Sequence, residues 1–266
     1  MNKQIYTSYK SLSSISEHVK KHKTHLNDHD FGFFLAGLIE ADAWTKNNTF
    51  SLEDISLAYL IKKRIGYGGV YKIKDKKAVR YICRDSKGLH YIISLINGKF
   101  ISAFKYKQLL NHNYSEWLSI DILPPVEKLS LDNFWLSGFT QGDGCFHISV
   151  VKSKSHTVGY SVRLEYSLKQ NNPLPLKLLY QLIKYGNLSQ YKTGIWCYKS
   201  TGYKTAFLLI NYFDKYNVFG GKHVSYLKFR KVYIMITEGK HLTEKGIVKI
   251  KSIKTKGSSE TSTQEI

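Results

Sequence analysis

The chain has 266 residues, and its 40 Lys and Arg against 20 Asp and Glu leave a formal charge of +20. Hydrophobic residues make up 42% and aromatics 14%, enough to fill a buried core, so the charge belongs to a folded protein and not to a disordered basic tail. The longest uncharged apolar stretches run to about ten residues, as around 31–39, too short to cross a bilayer. No N-terminal apolar segment reads as a secretory signal. Cys83, Cys145 and Cys197 lack any CxxC pairing, which argues against both a disulfide framework and a cysteine zinc site.

A charge of this size fits a nucleic-acid binder, an anionic membrane surface or a ribonucleoprotein. The absence of a long basic amphipathic helix with a Trp/Phe/Leu face ranks the membrane last. Arginine occurs only at Arg64, Arg80, Arg84, Arg163 and Arg230, so lysine supplies 35 of the basic residues. Lys, Asn, Ile, Tyr and Phe are abundant, the signature of an AT-rich coding sequence such as an organellar genome. The same bias lowers the weight of any single lysine.

In chain order, residues 1–30 are rich in Ser, Lys and His, lack a core pattern and read as a flexible arm or as upstream read-through, while the lack of Arg there disfavours a mitochondrial import peptide. A short helix follows with the string Phe34-Leu35-Ala36-Gly37-Leu38-Ile39-Glu40-Ala41-Asp42-Ala43. Next come a strand at 49–52, a helix at 55–65 closed by glycine, strands at 70–73 and 79–84, and an amphipathic helix at 88–96. Polar residues 111–132, holding Pro124-Pro125, read as a linker. The pattern then returns with Trp135-Leu136-Ser137-Gly138-Phe139-Thr140-Gln141-Gly142-Asp143-Gly144. Strands at 145–151 and 159–168, a helix at 174–185, strands at 188–191 and 194–199 and a helix at 203–212 complete it. Residues 254–266 read as a disordered tail.

The expected fold is therefore α+β, a tandem αββαββα duplication with repeats at 31–110 and 133–253. Two further matches support it. Cys83, Ser86, Gly88, Ile96 and Asn97 recur at the same spacing as Cys197, Ser200, Gly202, Ile210 and Asn211, and Tyr67-Gly68 recurs as Tyr185-Gly186. The copies are unequal. From Asp42 to Gly68 is 26 residues, from Asp143 to Gly186 is 43, and the missing 17 fall where the second copy has its first strand pair.

The repeated string carries the chemistry. Leu35, Leu38 and Ile39 make an apolar stripe, while Ala36 and Gly37 let another backbone approach; Leu136, Phe139, Ser137 and Gly138 repeat the scheme. Two such helices can pair about a pseudo-twofold axis within one chain. Asp42 and Asp143 then face the negative ends of their helix dipoles and, if the helices pair, each other. That doubly unfavourable placement calls for a cation, and a hard divalent ion such as Mg²⁺ takes carboxylate, carbonyl and water oxygens. Beside a phosphodiester, such an ion activates water and stabilises the leaving oxygen. An Asp near a helix end is commonly just a turn former; its recurrence at the eighth position of both strings favours the metal.

These strings, above all Leu35-Ala36-Gly37-Leu38-Ile39-Glu40-Ala41-Asp42, resemble the LAGLIDADG family of homing endonucleases, over roughly residues 31–253. The likeness is to the two-repeat, monomeric type encoded in mitochondrial group I introns, especially those of cytochrome oxidase genes. It implies two antiparallel sheets forming a saddle on double-stranded DNA, with the motif helices at the central interface. It implies a Mg²⁺-dependent nuclease, with Mn²⁺ able to substitute, in which Asp42 and Asp143 bind the metal and cleave one strand each. The carbonyls of Ala41 and Gly142 would complete the coordination, and Lys105 and Lys222 would assist near the scissile phosphates. Base and backbone contacts would come from Lys46, Asn48, Lys72, Lys74, Arg80 and Arg84 in the first copy. In the second they would come from Lys152, Lys154, Arg163, Glu165, Gln190, Lys192, Trp196 and Tyr198.

The resemblance also implies a mitochondrial protein with no membrane partner. Two alternatives stand beside the nuclease: a maturase binding its own group I intron RNA with the same fold, and a DNA-binding remnant with weak or nicking activity. The second is raised by Ala43 at a position where glycine is usual, by Gln141 in place of an acid, and by the short first hairpin.

Overall fold

The computed structural model describes residues 14–41 and 47–255, without the side chains of Asn47 and Asn48. Helix α1, Asp28–Ala41, starts where the Asn27 side chain accepts from the Asp30 amide at 2.8 Å, and Asp28 and Asp30 sit at its positive end. Strand β1, Asn47–Ser51, leads through a 3-10 turn, Leu52–Asp54, into α2, Ile55–Ile65. Gly66, at φ 81°, stops that helix in the left-handed conformation. Strands β2, Gly69–Lys72, and β3, Ala78–Ile82, precede α3, Ser86–Ile96, whose Asp85 cap accepts from Lys87 and Gly88. Two further helices follow, α4, Ala103–Asn111, and α5, Tyr114–Leu118.

The second half runs α6 (Trp135–Asp143), β4 (Gly144–Lys152), β5 (Tyr160–Gln170), α7 (Leu174–Ile183), β6 (Asn187–Gln190), β7 (Trp196–Ser200) and α8 (Tyr203–Lys215). It adds α9, Gly220–Thr237, a 3-10 turn at Lys240–Leu242, and α10, Glu244–Thr255. Both sheets are antiparallel, ordered β1-β3-β2 and β4-β5-β7-β6. The first therefore matches the second without the outer strand β4, so among the described residues the first half is αβαββα and not the expected αββαββα. Its 17-residue deficit falls where the second half has that strand and its turn, residues 144–159.

The duplication holds, but one of its sequence anchors is out of register. Tyr81 Oη donates to the Tyr67 carbonyl at 2.8 Å, and Tyr198 Oη donates to the Tyr185 carbonyl at 2.8 Å. These equivalent bonds align Tyr81 with Tyr198, three residues away from the match of Cys83 with Cys197. Accordingly Gly88 lies inside α3 while Gly202 caps α8. An amphipathic helix repeats every 3.6 residues, so a shift of three leaves the apolar pattern almost unchanged and hides the slip.

The described parts of the expected arm, linker and tail are ordered. Residues 14–27 lie against the second half: the Lys23 amide donates to Asn217 Oδ1 at 2.9 Å, and His22 Nε2 sits 2.9 Å from the Val218 carbonyl. Buried Arg230 pairs with Asp214 at 3.0 Å and donates to the Ser16 carbonyl at 2.8 Å. A guanidinium taken out of water needs all its donors satisfied, and this segment supplies an acceptor. The 111–132 linker buries Tyr114, Leu118 and Leu129, and the Val126 amide donates to the Phe100 carbonyl at 2.7 Å. Helix α10 includes Lys254 and Thr255; residues 256–266 lie outside the described ones.

The core is centred on α1 and α6, which are buried on nearly every side: they pack on each other, α1 also meets α3, and α6 also meets β4 and β5. No described helix is long and apolar enough to cross a membrane.

Candidate active site

The motif helices touch backbone to backbone. A Cβ on Gly37 would lie 2.0 Å from the Trp135 carbonyl oxygen, and one on Gly138 would lie 1.8 Å from the Phe34 carbonyl oxygen. Only glycine permits that approach, and it carries the C-terminal ends of α1 and α6 to one place.

At that place Gln170, the last residue of β5, donates Nε2 to both the Ala41 carbonyl and the Asp143 carboxylate, and lies 3.3 Å from the Glu40 carbonyl. A single amide nitrogen thus touches the last turn of one motif helix and the acid of the other. Asp143 is half-exposed and Gly142 exposed. Asp42 follows Ala41 directly but lies outside the described residues, as does Lys46; the Asn48 side chain is also outside them. Among the described residues no group of three or more His, Cys, Asp and Glu could hold a metal. The donors here are hard oxygens, a carboxylate and main-chain carbonyls, which suit a hard divalent cation rather than zinc.

The two lysines occupy equivalent places, third residue of α4 for Lys105 and third residue of α9 for Lys222. Lys222 Nζ donates to the Gly144 carbonyl, next to Asp143. Burial lowers its pKa, while Cys145, Asp54 and Asp143 act to raise it. Lys105 is half-buried and its charge helps lower the pKa of Glu40.

The sixth motif residue of each helix holds the start of the lysine helix in its own half. Buried Glu40 accepts from the Ile101 amide at 2.8 Å, from the Ser102 amide, and from Trp135 Nε1 at 2.9 Å. Burial pushes its pKa up to about 7 against those bonds. Gln141 Oε1 accepts from the Phe219 amide at 2.8 Å.

Strand register decides which sheet residues face away from the core. On the second sheet, Arg163 pairs with Ser149 and Glu165 with His147, all on the outer face, and Lys199 bridges Glu165 at 2.7 Å. On the first, exposed Arg80 pairs with Thr49 and Tyr71 on the outer face. Lys74, Lys154 and Lys192 are exposed in the connections between β2 and β3, β4 and β5, and β6 and β7; Arg84 is exposed just after β3. Lys72 and Lys152 have core-side parity but sit at exposed strand ends.

Tyr198 is a correction. It is 0% exposed, and its hydroxyl is spent on the Tyr185 carbonyl, so it is a core residue and contacts no base. Trp196 lies on the same face, packed on the core with Lys177 Nζ 5.3 Å from its ring centroid. Gln190, opposite Trp196, donates to the Gly194 carbonyl at 3.0 Å and closes its own hairpin. The residues passed over are those of opposite parity, His147, Ser167, Lys169 and Lys199, and Gln170. Continuing the alternation from Arg163 and Glu165 finds Ser167 and Lys169. Nothing local singles out Gln170.

Residues 136–233 match the model of a family described as LAGLIDADG endonuclease. The chain is 39% identical over 252 residues to an uncharacterised cox1 intron-2 protein of 37.2 kDa from Schizosaccharomyces pombe, covering 91% of this chain and 77% of that one. It is 23% identical over 304 residues to the intron-encoded DNA endonuclease aI3 of Saccharomyces cerevisiae, covering 92% and 73%. Among solved structures, the meganuclease I-SmaMI bound to uncleavable DNA superposes with a TM-score of 0.67 at 21% identity, over 86% of this chain and 99% of that one. The same nuclease has been seen on its uncleaved target in the presence of calcium ions. The likeness establishes the saddle built from two sheets as the fold.

Proposed function

This chain belongs to the LAGLIDADG endonuclease family, and we infer from that membership and from the junction of α1 and α6 that it is an intron-encoded, site-specific endonuclease of double-stranded DNA. The observation that carries the inference is the meeting of the Ala41 carbonyl and the Asp143 carboxylate on one Gln170 amide, with Lys222 beside them. A structural turn has no need to bring an acid from one half against a carbonyl from the other.

In this reading Asp143 and Asp42, with the carbonyls of Ala41 and Gly142, hold divalent ions, Mg²⁺ with Mn²⁺ as a substitute. Such ions, when bound, supply Lewis-acid polarisation of the phosphoryl oxygens and a more acidic attacking water. The chain's own groups do the rest. Gln170 fixes the orientation of the Asp143 carboxylate and ties it to the other motif helix. Lys222 and Lys105 bring positive charge to where it develops on phosphate oxygens. The outer faces of the two sheets, with Arg80, Arg163, Lys169 and Lys199, track the major groove, and the repeats at 31–110 and 133–253 take one half-site each. One chain therefore suffices, and an organellar intron is its source.

The test is incubation with DNA carrying the intronless insertion junction and Mg²⁺. Linear product that disappears on chelation is expected; uncut DNA across junctions from AT-rich organellar genes contradicts the reading. A second expectation concerns salt. Log affinity should fall with log salt at about −0.9 per phosphate contact, a loss of roughly 10³-fold or more between 50 and 200 mM if six or more phosphates are touched. Fluorescence anisotropy across that range checks it, and a flat response rules out a groove that follows the backbone.

A further inference from the structure

Each lysine-bearing helix is also held from the opposite half of the chain. Asp54, at the entry to α2 in the first half, accepts through Oδ1 from the Gly221 amide at 3.1 Å, in the first turn of α9 in the second half. Gly220 makes room for it: the residue has φ +54°, and a Cβ there would lie 2.6 Å from Asp54 Oδ1. Asn172, at the entry to α7 in the second half, donates Nδ2 to Ser102 Oγ at 2.9 Å. Ser102 is the cap of α4 in the first half, and its Oγ in turn accepts from the Phe104 amide at 3.1 Å. Asp54 and Asn172 occupy corresponding places in the duplication and reach across it in opposite directions.

We propose that Asp54 and Asn172 are positioning residues for Lys222 and Lys105, each locking the lysine helix of the other half, so that cutting of the strand each lysine serves depends on a residue from the opposite half. The inference rests on the nuclease reading above and adds a coupling to it. The physical argument is leverage. Lys222 lies one residue past the Gly221 amide that Asp54 holds, and Lys105 lies three residues past the Ser102 cap that Asn172 holds. The first turn of a helix has amides with no intrahelical partner, so it frays unless a side chain accepts from them. An ordinary cap comes from the residue before the helix. Here α9 follows Phe219, which has no side-chain acceptor, and the acceptor is borrowed from a distant part of the sequence. A lysine that must meet a phosphate within a few tenths of an ångström gains its precision from that borrowed group.

The test compares Asp54→Ala, Asp54→Asn and Asn172→Ala with wild type on a target labelled separately on each strand. Lys222→Met and Lys105→Met first identify which strand each lysine serves. Asp54→Ala should slow the Lys222 strand by about 10- to 100-fold, since a misplacement of about 1 Å can cost about 10²-fold, so that nicked DNA accumulates. The other strand should change by less than about threefold, and Asn172→Ala should show the opposite bias. Asp54→Asn keeps an oxygen for the Gly221 amide and should restore most of the balance. Equal slowing of both strands, or none, overturns the proposal. Amide hydrogen exchange on the free protein decides it independently of any cutting. Asp54→Ala should speed exchange in the first turn of α9 and leave α1 and α6 protected, whereas unchanged exchange at Gly221 overturns the clamp. A wild-type protein that cuts no junction defeats the nuclease reading alone, and the exchange result still stands for or against the clamp.

Discussion

Asp143→Asn abolishes double-strand cutting and slows one strand by about 10³-fold or more, a barrier increase of roughly 4 kcal/mol for losing the anionic ligand of a metal that stabilises phosphoryl charge. The substitution is nearly isosteric and leaves an oxygen facing the Gln170 amide, so the contact between the motif helices survives. Affinity for DNA should hold within about threefold, because the basic surface that supplies it is untouched and a negative charge beside the phosphates has been removed. Asp42→Asn should behave alike at the other strand. The measurement is single-turnover cleavage of a strand-labelled target alongside anisotropy. Undiminished cutting by both variants removes the roles assigned to these acids.

Gly37→Ala and Gly138→Ala should each destabilise the protein by about 2–4 kcal/mol, more than a typical overpacked methyl, because the obstacle is backbone. The added carbon would meet the Trp135 carbonyl at 2.0 Å in one case and the Phe34 carbonyl at 1.8 Å in the other. Neither oxygen can rotate away without breaking a helix. Against this stands the better helix propensity of alanine, worth no more than about 1 kcal/mol, so the clash wins. Gly202→Ala is the control, since a Cβ there meets nothing closer than 4.0 Å. Thermal melts should show a drop of about 5–15 °C for the first two and only a small change for the third. Melting unchanged in all three would mean that the motif helices do not cross at their glycines. Variants that still fold should lose cutting out of proportion to stability, because forcing the helices apart separates Asp143 from Ala41.

The motif helices were legible because their requirements are local. Small residues at Ala36, Gly37, Ser137 and Gly138 signal a close crossing, and an acid at the end of each string is hard to explain otherwise. Helix α2 was legible to the residue, since its apolar spacing runs straight into Gly66. The sheet faces were only half legible. Trp196 and Tyr198 look like groove residues, yet one step of register puts an aromatic on the core side, and an aromatic serves either face equally well. Helix α9 is absent from the expected elements: it opens on Gly220-Gly221, two poor helix formers, and those glycines are the space that Asp54 enters. Gln170, Asp54 and Asn172 are visible only in three dimensions. Each is an ordinary polar residue at an element end, and its partner is fixed by the duplication folding back on itself, at separations from 27 residues (Gln170 to Asp143) to 167 (Asp54 to Gly221).

The most direct test of metal-dependent cleavage at the meeting of the two halves is anomalous diffraction from the protein bound to its target DNA with Mn²⁺. A peak in direct coordination with the Asp143 carboxylate, next to the Ala41 carbonyl and a phosphate oxygen of the DNA, is the predicted result. Manganese bound elsewhere on the saddle, with Asp143 still held by Gln170 and remote from every phosphate, would contradict it.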